Sequence, residues 1–105
     1  MGDLPVPFQK IRQEYPEVAA AYDALGSATH EAGPLDSKTR QLVKLALAVG
    51  AGLEGAAHAH IRRAIEAGIS PEELKHVALL AITTLGFPTA VKAYTWVQDE
   101  IDSTK

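Results

Sequence analysis

Cysteine is absent from the 105 residues. Its absence excludes disulfides, thiolate metal sites and any thiol nucleophile. Methionine occurs once, at Met1, tryptophan once, at Trp96, and phenylalanine twice. A core must therefore be assembled mainly from Ala, Val, Leu and Ile. No run of Lys or Arg stands out, and the formal net charge is −3, which excludes nucleic acid or an anionic membrane surface as the main partner. No apolar stretch reaches the roughly 18 residues that suggest a bilayer span. The opening Met1-Gly2-Asp3-Leu4-Pro5 lacks the basic segment and apolar run of a signal peptide. The expectation is a cytoplasmic protein.

Hydrophobic residues make up 47%, enough for a packed core and too many for a disordered chain. The length fits one domain. A chain this short leaves much apolar surface uncovered, so association with copies of itself is an open route to further burial.

Periodicity and capping point to an all-α domain of about six helices. Pro5 and Pro7 predict an extended lead-in, because a residue before proline avoids helical geometry. Pro16 suits the first turn of a helix, after which Val18, Ala21, Tyr22 and Leu25 recur at helical spacing until Gly33-Pro34. Asp36 is an N-cap for the next helix, which runs to Gly50 and is apolar almost all round, so it is expected to be central. A helix from about Leu53 to Ala67 follows, closed by Gly68. Ser70-Pro71-Glu72-Glu73 reads as a capping box, with Ile69 and Leu74 as its hydrophobic staple. Val77 to Ile82 predicts a second fully buried helix. After Gly86-Phe87-Pro88, a last helix is expected from Ala90 to about Ile101, with Val91, Tyr94, Val97 and Ile101 on one face.

Three blocks carry a resemblance. They are Leu35-Asp36-Ser37-Lys38-Thr39-Arg40-Gln41-Leu42, then Ala56-Ala57-His58-Ala59-His60-Ile61-Arg62-Arg63-Ala64 with Gly68, then Pro71-Glu72-Glu73-Leu74 leading to Gly86-Phe87-Pro88-Thr89-Ala90. In that order and spacing the chain resembles the carboxymuconolactone decarboxylase family, whose other branch is the alkylhydroperoxidase D-like proteins. The resemblance runs from Leu35 to Val97. It implies an alkylhydroperoxidase D-like helical fold over residues 1–105, with a lead-in and helix over 1–34 and the family core over 35–101. It also implies assembly as a homotrimer or homohexamer, with the site near a subunit interface. In the redox branch a CxxC pair opens the second core helix and a histidine follows the second cysteine by four residues. Those positions are Leu53, Ala56 and His60 here, and Gln41 stands where a relay carboxylate is usual. Peroxide reduction needs an attacking thiolate and a resolving thiol, so this chain cannot be a thiol peroxidase. The amide of Gln41 can orient a water or ligand but cannot take a proton at physiological pH.

His60 is the first candidate for chemistry, since it shares a helical face with Ala56 and lies two turns from Leu53. An imidazole can donate or accept a proton near neutral pH, although a packed core histidine would follow the same spacing. His58 lies roughly 200° around the helix from His60, so the two cannot converge on one metal, and neither metal nor cofactor is expected. Glu54 and Arg62, one turn either side of His58, predict a charged outer face or a subunit contact. His76 reads as a surface partner of Glu72 and Glu73. His30 sits near a helix end, where the dipole favours it, and can join a site from a neighbouring subunit. Arg40, with Lys44 on its face, can anchor a substrate carboxylate, and Phe87 and Trp96 can line an apolar pocket.

Two functions fit. One is a cofactor-free carbon–carbon lyase acting on a small carboxylated catabolite such as a lactone acid. In it His60 is the acid/base, Gln41 orients, and Arg40 and Phe87 bind substrate. The other is a non-catalytic oligomeric binding or scaffold member, in which Leu53 and Ala56 fill the lost redox site with apolar volume.

Overall fold

The structure, a computed structural model, describes residues 6–104 and is all-helical among them. The helices are α1 (Val6–Glu14), α2 (Pro16–Glu31), α3 (Ser37–Gly50), α4 (Glu54–Glu66), α5 (Pro71–Leu80), α6 (Ile82–Leu85) and α7 (Phe87–Ser103). Only Ala81 separates α5 from α6, and counting them as one interrupted helix gives the six expected. The chain divides into two compact units between Asp36 and Ser37. None of the described helices is long and apolar enough to cross a membrane.

The first unit corrects the extended lead-in. Pro7 lies in the first turn of α1, where a missing N–H costs nothing. Tyr15, at φ −132° and ψ 66°, breaks the chain, and Pro16 then starts α2. The Arg12 guanidinium donates to both carboxylate oxygens of Asp23, at 2.9 and 2.6 Å. Arg12 also stacks 4.9 Å above the Phe8 ring, which meets Tyr22 edge-on at 5.9 Å. The part of the lead-in before Val6, including Pro5, lies outside the described residues.

The second unit has one core, built from Leu45, Ala48 and Val49 of α3, Ala57, Ile61 and Ala64 of α4, Leu74 and Ala78 of α5, and Ala93, Trp96 and Val97 of α7. Alanines at the contacts let the helix axes approach closely, and few large side chains are needed. Two loops are set by glycine. The Gly52 N–H bonds Val49 O and the Leu53 N–H bonds Ala48 O, and Gly68 and Ile69 repeat the pattern on Ile65 and Ala64. Both are Schellman motifs that need a left-handed residue, supplied at φ 70° and 89°. The capping box at Ser70 forms as expected, with Pro71 in the first turn.

Three expectations are corrected. Val43 and Leu47 of α3, and Leu79 and Leu80 of the second supposedly buried helix, are exposed. One chain covers only one side of each rod. The last helix begins at Phe87 rather than Ala90, because Pro88 is accommodated in its first turn. Its inner face is Ala90, Ala93, Trp96, Val97 and Glu100, while Val91 and Tyr94 point outward. The small alanines make the close helix contacts, while Tyr94 meets α5 through Lys75, whose Nζ lies 5.7 Å from its ring centroid.

Candidate functional site

The α3–α4 hairpin carries Arg40, Gln41, Leu53, Ala56 and His60. Leu53 ends one helix and starts the next, since its N–H bonds Ala48 O while its carbonyl accepts from the Ala57 N–H at 2.9 Å. Its side chain is 55% exposed, so it does not plug a cavity. Ala56, a turn further on, packs against the core. His60 is half-buried in mid-helix. Arg40 and Gln41 are half-buried near the start of α3. Counting equally from the Gly52 turn places Lys44 level with His60, and Gln41 about 4.5 Å further along the axis at the helical rise.

Gln41 has an unusual environment. Its Nε2 lies 3.5 Å from Ser37 Oγ, a long contact that contributes little. Its Oε1 is buried with no hydrogen-bond partner. An unsatisfied buried polar atom of this kind costs about 1–3 kcal/mol. A half-turn of the amide exchanges its ends, letting Ser37 donate to the oxygen and placing an NH₂ at the buried position. One position can thus receive either a hydroxyl or a carboxylate.

A wide groove of about 810 Å³ lies along α3, α5 and α6. Lys38 pairs with Glu73, so the N-termini of α3 and α5 lie together. At the far end a methyl added to Gly50 would come within 3.9 Å of Leu85 Cδ1. From its start at Lys38 to its end at Gly50, α3 therefore runs in the same direction as the α5–α6 segment from Glu73 to Leu85. Leu42, Val43, Leu47, Val77, Leu80 and Leu85 are among its apolar lining, and Glu73 and His76 of α5 and Thr84 of α6 are polar members. Phe87 opens α7, is 63% exposed, and does not line this groove. Trp96 is buried in the core rather than lining a pocket.

A polar cluster joins α4 to α7. Glu100 is buried, and its Oε2 meets His58 Nδ1 at 2.7 Å and accepts from Arg62 at 3.3 Å. His58 Nε2 lies 3.4 Å from the exposed Glu54, and its ring sits 6.0 Å from that of Trp96. His58 is thus held at an internal helix contact, not displayed on an outer face. Glu100 fixes Nδ1 as the bonded nitrogen and leaves Nε2 toward the rim. Sequence reasoning missed Glu100 because it lies 42 positions from His58. An acidic residue at the i+3 and i+4 spacing of Val97 and Trp96 was the available signal.

His76 is exposed on α5, while Glu73 accepts from the Ser70 N–H and hydroxyl and pairs with Lys38. Those contacts hold the Glu73 carboxyl below the usual glutamate range, Lys38 contributing most and the Ser70 backbone next. His30 lies in the last turn of α2. Among the described residues no group of three or more acidic, histidine or cysteine side chains is placed to hold a metal ion.

Comparison with known proteins adds three findings. Residues 16–99 match the model of the carboxymuconolactone decarboxylase family. The fold is similar to the crystal structure of the apo form of a carboxymuconolactone decarboxylase family protein from Legionella pneumophila, with a TM-score of 0.80 and 27% identity over 94% of this chain and 88% of that one. An uncharacterised protein from Haemophilus influenzae is 42% identical over 57 residues, 54% of this chain. The match takes in half of that protein's length.

Proposed function

Since the chain belongs to the carboxymuconolactone decarboxylase family, we propose that it is a thiol-free acid/base member handling a small carboxylated catabolite, such as a lactone acid, as a homotrimer or homohexamer. The observation that carries this reading is the buried, unbonded Oε1 of Gln41 on the hairpin that also holds His60. An orphaned amide at the position the family resemblance gives to a relay group is a cost to folding that a bound ligand removes. His60 is the proton donor and acceptor, Gln41 orients the substrate, and Arg40 holds a carboxylate in a fork. In a decarboxylation, the bond from carbon to the carboxyl group breaks and its electron pair passes into the conjugated carbonyl. His60 then delivers a proton to that carbon as carbon dioxide leaves. Phe87 enters only as an apolar wall for the ring.

The competing reading, an empty oligomeric scaffold, rests on Leu53 and Ala56 filling the old redox site. In the single chain Leu53 is more than half exposed. Thermal unfolding with a panel of small lactone and aliphatic carboxylates separates the two. A ligand at about 100 times its Kd stabilises the fold by about 2.7 kcal/mol. At least one acid is expected to raise the Tm of the wild type and to lose that effect in Gln41→Leu and His60→Ala. Equal shifts in all three proteins, or none in any, would leave the scaffold reading standing and this one refuted.

A further inference from the structure

We propose that Glu54 and His58 form a binding site for a divalent transition-metal ion such as Zn²⁺, on the side of α4 that meets α7. The starting point is a pair of acceptors that face one another. His58 Nδ1 meets the buried Glu100 carboxylate at 2.7 Å. An ionised carboxylate can only accept, so Nδ1 carries the proton and donates it. In a neutral imidazole the other nitrogen then holds a lone pair and no hydrogen. That nitrogen, Nε2, lies 3.4 Å from Glu54 Oε2. Two acceptors placed like this need a positive centre between them, either a second ring proton or a metal ion.

The distance favours the ion. It exceeds the range of about 2.7–3.2 Å typical of N–H···O bonds. Two donor atoms held on one tetrahedral Zn²⁺ at about 2.0–2.1 Å stand about 3.3–3.4 Å apart. The i, i+4 spacing of Glu54 and His58 puts both side chains over one face of the helix, and helical metal sites place their ligands at that spacing. Glu100 stands behind the ring as the outer carboxylate that orients a metal-bound histidine and raises its basicity. Its Oε2 also accepts from Arg62 at 3.3 Å. Glu54 and Glu100 against Arg62 leave one negative charge around the imidazole, which draws a cation. The Glu54 side chain is 65% exposed, so an ion reaches the pair from solvent. An imidazole nitrogen beside one carboxylate suits Zn²⁺, Ni²⁺ or Cu²⁺ better than Ca²⁺ or Mg²⁺. Among the described residues no third acidic, histidine or cysteine side chain completes the set, so the other positions go to water or to an oxygen of a small ligand. His58 and His60 point to different sides of α4. The site is thus separate from the proton chemistry proposed above, and its test does not depend on that reading.

The probe is Zn²⁺ itself. Chelator-stripped protein is titrated calorimetrically at about pH 7.5, where ordinary imidazole is mostly neutral, and the loaded protein is measured by zinc X-ray absorption. The expected result is one ion per chain with nitrogen and oxygen neighbours at about 2.0–2.1 Å. Binding is expected to be lost in Glu54→Gln and His58→Phe, to persist in His60→Ala, and to weaken about 10- to 100-fold in Glu100→Gln. Glu54 is exposed, so Glu54→Gln tests the site even where His58→Phe fails to fold. A wild type that takes up no Zn²⁺ means that a proton alone bridges the pair. Equal affinity in the wild type and Glu54→Gln places the ion elsewhere. Either result overturns the proposal.

Discussion

Glu100 brings a carboxylate into the packed face of α7, between two donors from α4. Hydrogen bonds to a charged group contribute about 1.5–3 kcal/mol each, and a buried donor left alone costs about as much. Glu100→Ala is therefore expected to destabilise by about 2–4 kcal/mol, while Glu100→Gln, which keeps an acceptor for one donor, loses less. Urea unfolding of both variants checks the order, and equal losses would show that the acceptor and volume kept by Gln contribute nothing, contradicting the predicted order. The contrast between His58 and His60 belongs to the same scale. Sequence spacing correctly put the two imidazoles on different sides of α4, but it could not say which side met α7. That depends on a partner 42 residues away, outside any local window. Gln41 was legible as a departure from the family pattern, whereas its buried, unbonded oxygen depends on neighbours that no spacing rule supplies.

The element most fully legible beforehand is the start of α5, because a capping box is a local contract among residues three apart. Ser70 Oγ accepts from the Glu73 N–H at 3.2 Å while Glu73 Oε1 accepts from the Ser70 N–H at 3.1 Å. Replacing Ser70 by Ala is expected to cost about 1 kcal/mol. The box also has a pH signature. The folded-state Glu73 carboxyl is held below its ordinary value by Lys38 and Ser70. Its contribution is thus complete above about pH 4.3, the ordinary glutamate value, and is lost as the pH falls through the lower folded value. Stability measured from pH 6 down to pH 2 should fall less steeply in Glu73→Gln and in Lys38→Ala than in the wild type. Identical slopes would contradict the assignment. By contrast, the face of α7 that carries Val91, Tyr94, Val97 and Ile101 is packed only in part: Val97 is buried and Ile101 lies against the core, while Val91 and Tyr94 are exposed and alanines make the remaining contacts. The helix α1 was missed because a proline at a helix start and a proline in an extended arm look alike without their neighbours.

At the scale of the whole molecule, two kinds of apolar surface coexist: a small alanine-rich core and exposed leucines on α2, α3 and α5. Both were written in the composition as one total of hydrophobic residues, and the sequence does not label which the folded chain buries and which it leaves exposed. That is why α3 and α5 were expected to be buried on every side. The fold class and the family order of blocks were legible because capping and periodicity are local and repeat along the chain. The site was only half legible, since its missing thiols are read from residue identity while its remaining groups need three-dimensional neighbours. The central claim is that proton chemistry at His60, without thiol, metal or cofactor, is what this member of the family retains. The most direct measurement is carbon dioxide release from a panel of lactone carboxylic acids by the wild type and His60→Ala, side by side in chelator-treated buffer. The account predicts at least one acid turned over by the wild type, with the variant slower by about 10²- to 10⁴-fold. Release at the same rate by both proteins would contradict it.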